Sequence, residues 1–452
     1  MPNEDDILEL LVDSLDLDPT DATAVDEDLD EDADEELEEE LTAGLEEELD
    51  DPVEAALRRG APLLLLHKSH QHSSVLPQVA DDILRRHGGA LQLGTIAPMP
   101  RMSPTSIEAY FDRMSTAPVR IADPECFARD DSFGSSLAAQ RDGKPYVGST
   151  SKHWSYFTDV QKNGHTETWV RDVLDAQRSC GATVLLTPGL WGDPATAKYA
   201  IATMRQHAEW SRRALDADEK LAVNVTIPAS WLTTGALRDR LLDEIVDMDE
   251  QVFYLRVRWP LLGQPYGQLI DRTILDGYLE LAAVFDDNDK VLILPNTGLT
   301  GWVGAACGAH GFSTGIGSGE RAFADTRVIK INTKPRPAPT RRVFAHSLLH
   351  VVDVTTAEQV DSLTADRCHC RFCRAQRRLP AGQWDKALAG AHYLRRVGDM
   401  TAGIATNPRG RRVAARRATR DARRIVGDVS ARLPLVGANE PKHLELWADL
   451  LR

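Results

Sequence analysis

The segment Cys368-His369-Cys370-Arg371-Phe372-Cys373 places three thiols within six positions. A tight turn lets thiolates at C-x-C-x-x-C spacing face one point, and zinc takes four soft or borderline ligands in a tetrahedron. Six cysteines in 452 residues are too few for a disulfide scaffold, so a local cluster reads as a metal site in a reducing, cytoplasmic setting. The fourth ligand must come from elsewhere. His392, inside the helical pattern 384–400, is the choice, because His369 sits between ligating neighbours and should project away. Four protein ligands make a closed, structural Zn2+ site rather than a catalytic one. The competing reading is three free thiols in a loop. Cys126, Cys180 and Cys307 are isolated, and burial is the commoner fate of such cysteines.

Asp123-Pro124-Glu125 pairs two carboxylates just after an apolar run. Such a pair could supply one acid–base or nucleophilic role, although Asp-Pro also begins ordinary turns. Asp193, Asn224 and Asn296 lie in or beside other strand ends as candidate substrate-binding groups, with Asp325 a weaker one. Trp154, Tyr156 and Phe157 could stack on an extruded base or pack as core.

Residues 409–424 are rich in Ala and Arg and should be helical, with Arg412, Arg416, Arg420 and Arg423 on one face. Guanidiniums in a row match a phosphate backbone. Arg371, Arg374, Arg377 and Arg378 beside the cysteines extend the patch. A solvated helix face is the plainer account. Contacts to phosphate position a polynucleotide without reading its sequence.

The elements that must carry these groups follow from hydrophobic patterning. Eight short apolar runs occur, at 63–66, 119–122, 183–187, 221–227, 252–257, 291–294, 311–316 and 348–352. Amphipathic helical stretches, such as 195–215, 234–247 and 269–285, lie between several of them. Continuous apolar strands alternating with helices imply a parallel sheet covered on both faces. Eight units in this length fit an α/β fold, a (β/α)8 TIM-like barrel, with an open doubly wound sheet as the runner-up. In both, ligands bind at the C-terminal strand ends. The expected domains are a disordered acidic tail at 1–57, the barrel at 58–360, and a zinc-binding, basic helical region at 361–452.

The formal net charge of −17 divides unevenly. Residues 1–50 hold 24 of the 69 acidic residues and no Lys or Arg, so the remainder carries +7. Residues 367–432 carry 17 basic against 4 acidic residues. The tail is too polar and self-repelling to fold alone. It solubilises the chain or shields the basic surface. No run of about 18 apolar residues occurs, so no membrane partner is expected. The first residues lack the pattern of a secretory signal.

Cys368-x-Cys370-x-x-Cys373 late in a probable barrel resembles the zinc motif of tRNA-guanine transglycosylases, and His392-Tyr393-Leu394 with Met400 beyond is similar to that family's His-bearing helix. The resemblance covers roughly residues 60–430. It implies base-exchange glycosyltransferase activity on guanine, with tRNA or DNA and a 7-deazaguanine-type base as partners, and it leaves a homodimer open. Asp123 matches the place of the family's base-contacting aspartate, with Glu125 beside it. Asn224, Asn296 and Asp193 become candidates for holding the base. The position of the family's nucleophilic aspartate corresponds to Ser313 in Gly311-Phe312-Ser313. That departure motivates a second reading, a non-catalytic zinc-containing nucleic-acid-binding relative. A third is an unrelated barrel enzyme with a structural zinc.

Overall fold

A computed structural model describes residues 51–68, 73–129, 133, 152–158, 166–260, 268–324, 340–380, 383–405 and 410–452. Residues 1–50 of the expected tail, together with Asp325 and Arg409, lie outside the described residues.

Eight parallel strands run β1 (Leu63–His67), β2 (Gln92–Pro98), β3 (Val119–Asp123), β4 (Val184–Leu186), β5 (Lys220–Pro228), β6 (Val252–Arg258), β7 (Val291–Leu294) and β8 (Gly311–Gly315). The ladder order is β3-β2-β1-β8-β7-β6-β5-β4, so the sheet curls into a nearly closed α/β barrel. At the last seam, between β3 and β4, Thr183 N–H donates to Arg120 O at 2.9 Å. Thr183 Oγ1 accepts the Arg120 N–H in return at 2.8 Å.

The strands number eight, as expected, but two of the assignments differ. The run at 348–352 is not a barrel strand. It falls in β10 (His350–Asp353), which pairs antiparallel with β9 (Arg342–Ala345) in a separate hairpin. The barrel's second strand, Gln92-Leu-Gly-Thr-Ile-Ala-Pro98, is absent from the apolar runs. Its sequence is broken by Gly94 and Thr95, and both residues answer to tertiary contacts. A Cβ on Gly94 would lie 2.4 Å from a Leu65 methyl and 2.7 Å from Val119 O, so glycine is needed where three strands crowd. Thr95 is buried because its hydroxyl bonds Leu66 O and Tyr110 Oη.

Inward side chains fill the barrel. Leu63, Leu65, Ile96, Val119, Ile121, Val184, Leu186, Ala222, Tyr254, Val291 and Ile293 form one cluster, each large aliphatic contributing roughly 1.5–3 kcal/mol by burial. Helix α1 (Pro52–Leu57) closes the N-terminal end. Asp51 caps it by accepting the Val53 N–H at 2.9 Å, its Ala56 and Leu57 join the interior cluster, and His310 Nε2–H donates to Ala56 O at 2.8 Å.

The outer layer comprises α2 (Leu76–His87), α3 (Pro104–Arg113), α4 (Glu167–Arg178), α5 (Ala197–Arg213), α6 (Gly235–Asp247), α7 (Arg272–Asp287) and α8 (Gly298–Ala306), each following its strand. The unit after β8 is longer. The β9–β10 hairpin, α9 (Val354–Thr364) and α10 (Arg371–Arg378) intervene before α11 (Lys386–Ala405) returns to the barrel wall. There α11 packs against α2 and α8. Gly390 lies against Ile316, and Tyr393 Oη bonds Thr314 Oγ1 at 2.7 Å. α12 (Arg411–Ser430) and α13 (His443–Leu450) complete the C-terminal region. No helix among the described residues is long and apolar enough to cross a membrane.

Candidate metal centre and barrel mouth

Cys368 and Cys370 lie in the loop entering α10, Cys373 lies in its first turn, and His392 lies mid-way along α11. Phe372 and Ala375 anchor α10 in the core. Cys370 caps that helix, its Sγ accepting the Cys373 N–H at 3.4 Å. The four ligand atoms lie within 4.8 Å of one another. His392 Nδ1 stands 3.6, 3.5 and 3.3 Å from the sulfurs of Cys368, Cys370 and Cys373. Bonds of about 2.3 Å to sulfur and 2.0–2.1 Å to nitrogen, at tetrahedral angles, set these atoms about 3.5 Å apart.

Neighbouring groups prepare these ligands. His392 Nε2–H donates to Phe344 O at 2.9 Å, which fixes the tautomer that leaves Nδ1 with its lone pair toward the sulfurs. Arg396 donates to Cys368 Sγ at 3.1 Å, which favours thiolate. The group could hold a metal ion such as zinc. His369 is exposed and outside it.

At the opposite end of the barrel from α1, the strand ends bring acids together. Asp123, fully buried, forms an ion pair with Arg256 of β6. It also accepts Tyr254 Oη–H at 2.9 Å and the Glu125 N–H at 3.0 Å. Arg256 reaches Asn296 Oδ1 at 3.2 Å and Thr226 Oγ1 at 3.4 Å, beneath Phe127 and Phe323. Burial is the largest single influence and disfavours the Arg256 charge, but Asp123, Tyr254 and Glu125 together outweigh it, so the guanidinium is held more firmly protonated than usual. Asp123 is thus fully engaged in its own network.

Glu125 takes a left-handed backbone, φ 43°, and its carboxylate lies 3.5 Å from Arg101 Nε. Glu320, after β8, is buried, and its Oε2 has no hydrogen-bond partner among the described residues. His67, at the end of β1, feels all three acids. Burial is the chief influence and lowers its pKa, while Glu320, Asp123 and Glu125 pull the other way. His67, Arg101, Arg256 and Glu320 were not singled out from the sequence. The Leu63–His67 run does end in a histidine, but nothing local marks Glu320 as lying near His67 and Arg101.

The other predicted residues are distributed as follows. Ser313 is fully buried inside β8, opposite Leu65, and its Oγ accepts the Asn296 N–H at 2.7 Å. Ser313 stands at the place of the expected nucleophile, and through that bond its hydroxyl holds the β7 end. Asn296, left-handed at φ 52°, also donates to Gly319 O at 3.1 Å, tying the β7 end to the loop bearing Glu320. Asp193 caps a short turn by accepting the Ala195 N–H at 2.9 Å. Asn224 lies away from the acids, beside Gly189. Trp154 and Tyr156 pack as core, bonding Met99 O and Pro124 O. Cys126 and Cys180 are buried, and burial raises both thiol pKa values.

α12 buries Ala415, Thr419, Ala422 and Val429, which rotates the arginine stripe from the predicted face. Arg416, Arg417, Arg420 and Arg424 line a shallow surface groove. Arg412 instead donates to Leu450 O at 2.8 Å, and Arg423 lies 3.6 Å from Glu445, both toward α13.

No protein-family model matches the chain, and no curated protein sequence matches it.

Proposed function

We propose that the chain is a zinc-containing base-exchange glycosyltransferase that acts on guanine in tRNA or DNA and inserts a 7-deazaguanine-type base. The observation that carries this reading is the gathering of Glu125 and Glu320 at the barrel mouth around His67 and Arg101. Exchange through a retained sugar needs one carboxylate to trap C1 and a second group to balance protons. In this reading a Glu320 oxygen attacks C1 while the C1–N9 bond breaks and its electron pair goes to N9. Glu125, as the acid, gives N9 its proton. The incoming base then returns a proton to Glu125, its nitrogen attacks C1, and Glu320 leaves. Glu320 takes the role first expected at position 313.

Asp123 and Arg256 are positioning residues here, since each engages the other. Zn2+ in the Cys368/Cys370/Cys373/His392 group is structural: all four positions come from the protein, leaving none for substrate. It stiffens the α10–α11 unit, and α12 presents arginines to the phosphate backbone.

The test incubates the protein with tRNA or duplex DNA carrying labelled guanine and measures label release in the presence of 7-deazaguanine bases. Release by wild type, and its loss in Glu320→Gln with metal content and polynucleotide binding retained, supports the reading. Absence of release from both substrates overturns catalysis. Salt-sensitive binding without release would then establish the non-catalytic relative, which the occupied Asp123 and buried Ser313 favour.

A further inference from the structure

A cavity of ≈ 280 Å³ lies between the barrel wall and α5. Its inner wall is β5 from Asn224 to Ile227, its outer wall is α5 from Tyr199 to His207, and the loop 187–193 covers one end. None of Asp123, Glu125 or Glu320 lines it, although Thr226, which Arg256 reaches at 3.4 Å, forms part of its wall. Its size is at the lower end for small-molecule sites.

Asn224 makes the cavity chemically specific. The residue is 2% exposed, and neither its Oδ1 nor its Nδ2 has a hydrogen-bond partner among the described residues. A buried amide left wholly unpaired is destabilising, and such groups are otherwise almost always satisfied. The backbone is built around this side chain. Gly189, at φ 66°, passes so close that a Cβ there would lie 2.3 Å from the Asn224 carboxamide. The Asn224 N–H is fixed to Thr187 Oγ1 at 2.9 Å, which anchors the strand beside the covering loop. Around the amide the lining is mainly apolar and aromatic, including Leu190, Trp191, Met204 and Trp231.

We propose that this cavity is a binding site for a small, flat, neutral molecule carrying a donor and an acceptor side by side, as in a lactam or primary carboxamide. The Asn224 carboxamide offers one acceptor and one donor in a plane, so such an edge pairs with both at once. The aromatic and aliphatic walls take the ring faces. A charged ligand is disfavoured by its desolvation, and the carboxylate on the lining, Asp193, is already capping its own turn.

The probe is isoquinolin-1-one, a bicyclic lactam, with isoquinoline as the control that keeps the rings and lacks the lactam edge. Binding to the full chain is measured by ligand-observed NMR and calorimetry. Wild type should bind the lactam at least about tenfold more tightly than the control. Asn224→Leu, which keeps the branched shape and removes the amide, should erase that preference while leaving isoquinoline binding in place. Ala200→Phe, which fills the cavity from α5, should abolish binding of both probes. Circular dichroism and thermal melting of both variants establish that they fold. Failure of wild type to bind the lactam up to its solubility limit overturns the proposal, and so does a lactam preference that survives in Asn224→Leu. Guanine release is measured on the same samples. Unchanged release in Ala200→Phe is expected, and its loss would assign the cavity to the exchange reaction and overturn the separate site.

Discussion

Arg256 and Asp123 stand 133 positions apart in sequence and form a buried ion pair inside the barrel, with side-chain exposures of 1% and 0%. The pair joins β6 to β3 and sits directly beneath the candidate reaction site. Tyr254 and Asn296 satisfy remaining valences on the two ends.

Removing one member should therefore be far worse than removing both. Arg256→Leu leaves an uncompensated buried carboxylate and is expected to cost about 3–5 kcal/mol. The double variant Asp123→Leu/Arg256→Leu should recover much of that. Urea denaturation of the two variants checks this, and equal losses in single and double variants would contradict it.

Metal removal should loosen the α10–α11 unit. Elemental analysis is expected to find about one zinc per chain, and Cys370→Ser should lose it. Because α11 also forms part of the barrel's helical layer, the loss should lower the melting temperature on the order of 10 °C. A metal-free wild-type protein with unchanged melting would sink the assignment.

The arginines of α12 should divide into two classes. Replacing Arg416, Arg417, Arg420 or Arg424 with Gln should weaken binding to any polynucleotide and lower the salt slope by about one for each arginine removed from a phosphate. Arg412→Gln and Arg423→Gln should matter much less, since these side chains engage α13. Deleting residues 1–50 removes 24 acidic residues, and the resulting net charge of +7 should strengthen binding at low salt. Filter-binding titrations across a salt series read all of these effects.

Acid should destabilise the fold through its buried histidines. Burial pushes His310 and His350 down to about 4. Near neutral pH they are neutral in both folded and unfolded chains. As pH falls below about 6.5 the unfolded chain takes up protons that the folded one refuses, so stability is lost progressively down to about pH 4. His310→Gln should flatten part of that slope, at the cost of a weaker tie between β8 and α1. Denaturation midpoints between pH 4 and 8 measure it, and an unchanged slope would contradict the assignment to His310.

The sequence alone specified the groups whose partners are close along the chain or whose pattern repeats locally. The three cysteines span six positions and His392 lies on the next long helix, so ligand chemistry identified the metal group. Alternating apolar runs and amphipathic helices identified a parallel barrel. The tertiary structure decided the rest, because a barrel brings together strand ends that sequence separates. Gln92–Pro98 became a strand because Gly94 fits between Leu65 and Val119, a fact about neighbours that the residue's own type does not carry. The run at 348–352 was apolar enough for the barrel yet paired with Arg342–Ala345, since apolar composition sets burial but not the choice of partner strand. At the mouth, Asp123 met Arg256 while Glu320 came within electrostatic reach of His67 and Arg101, and Ser313 was drawn inside. Strand parity and register fixed the placement of Asp123, Arg256 and Ser313, while the turn of helix Ser318–Arg321 after β8 placed Glu320.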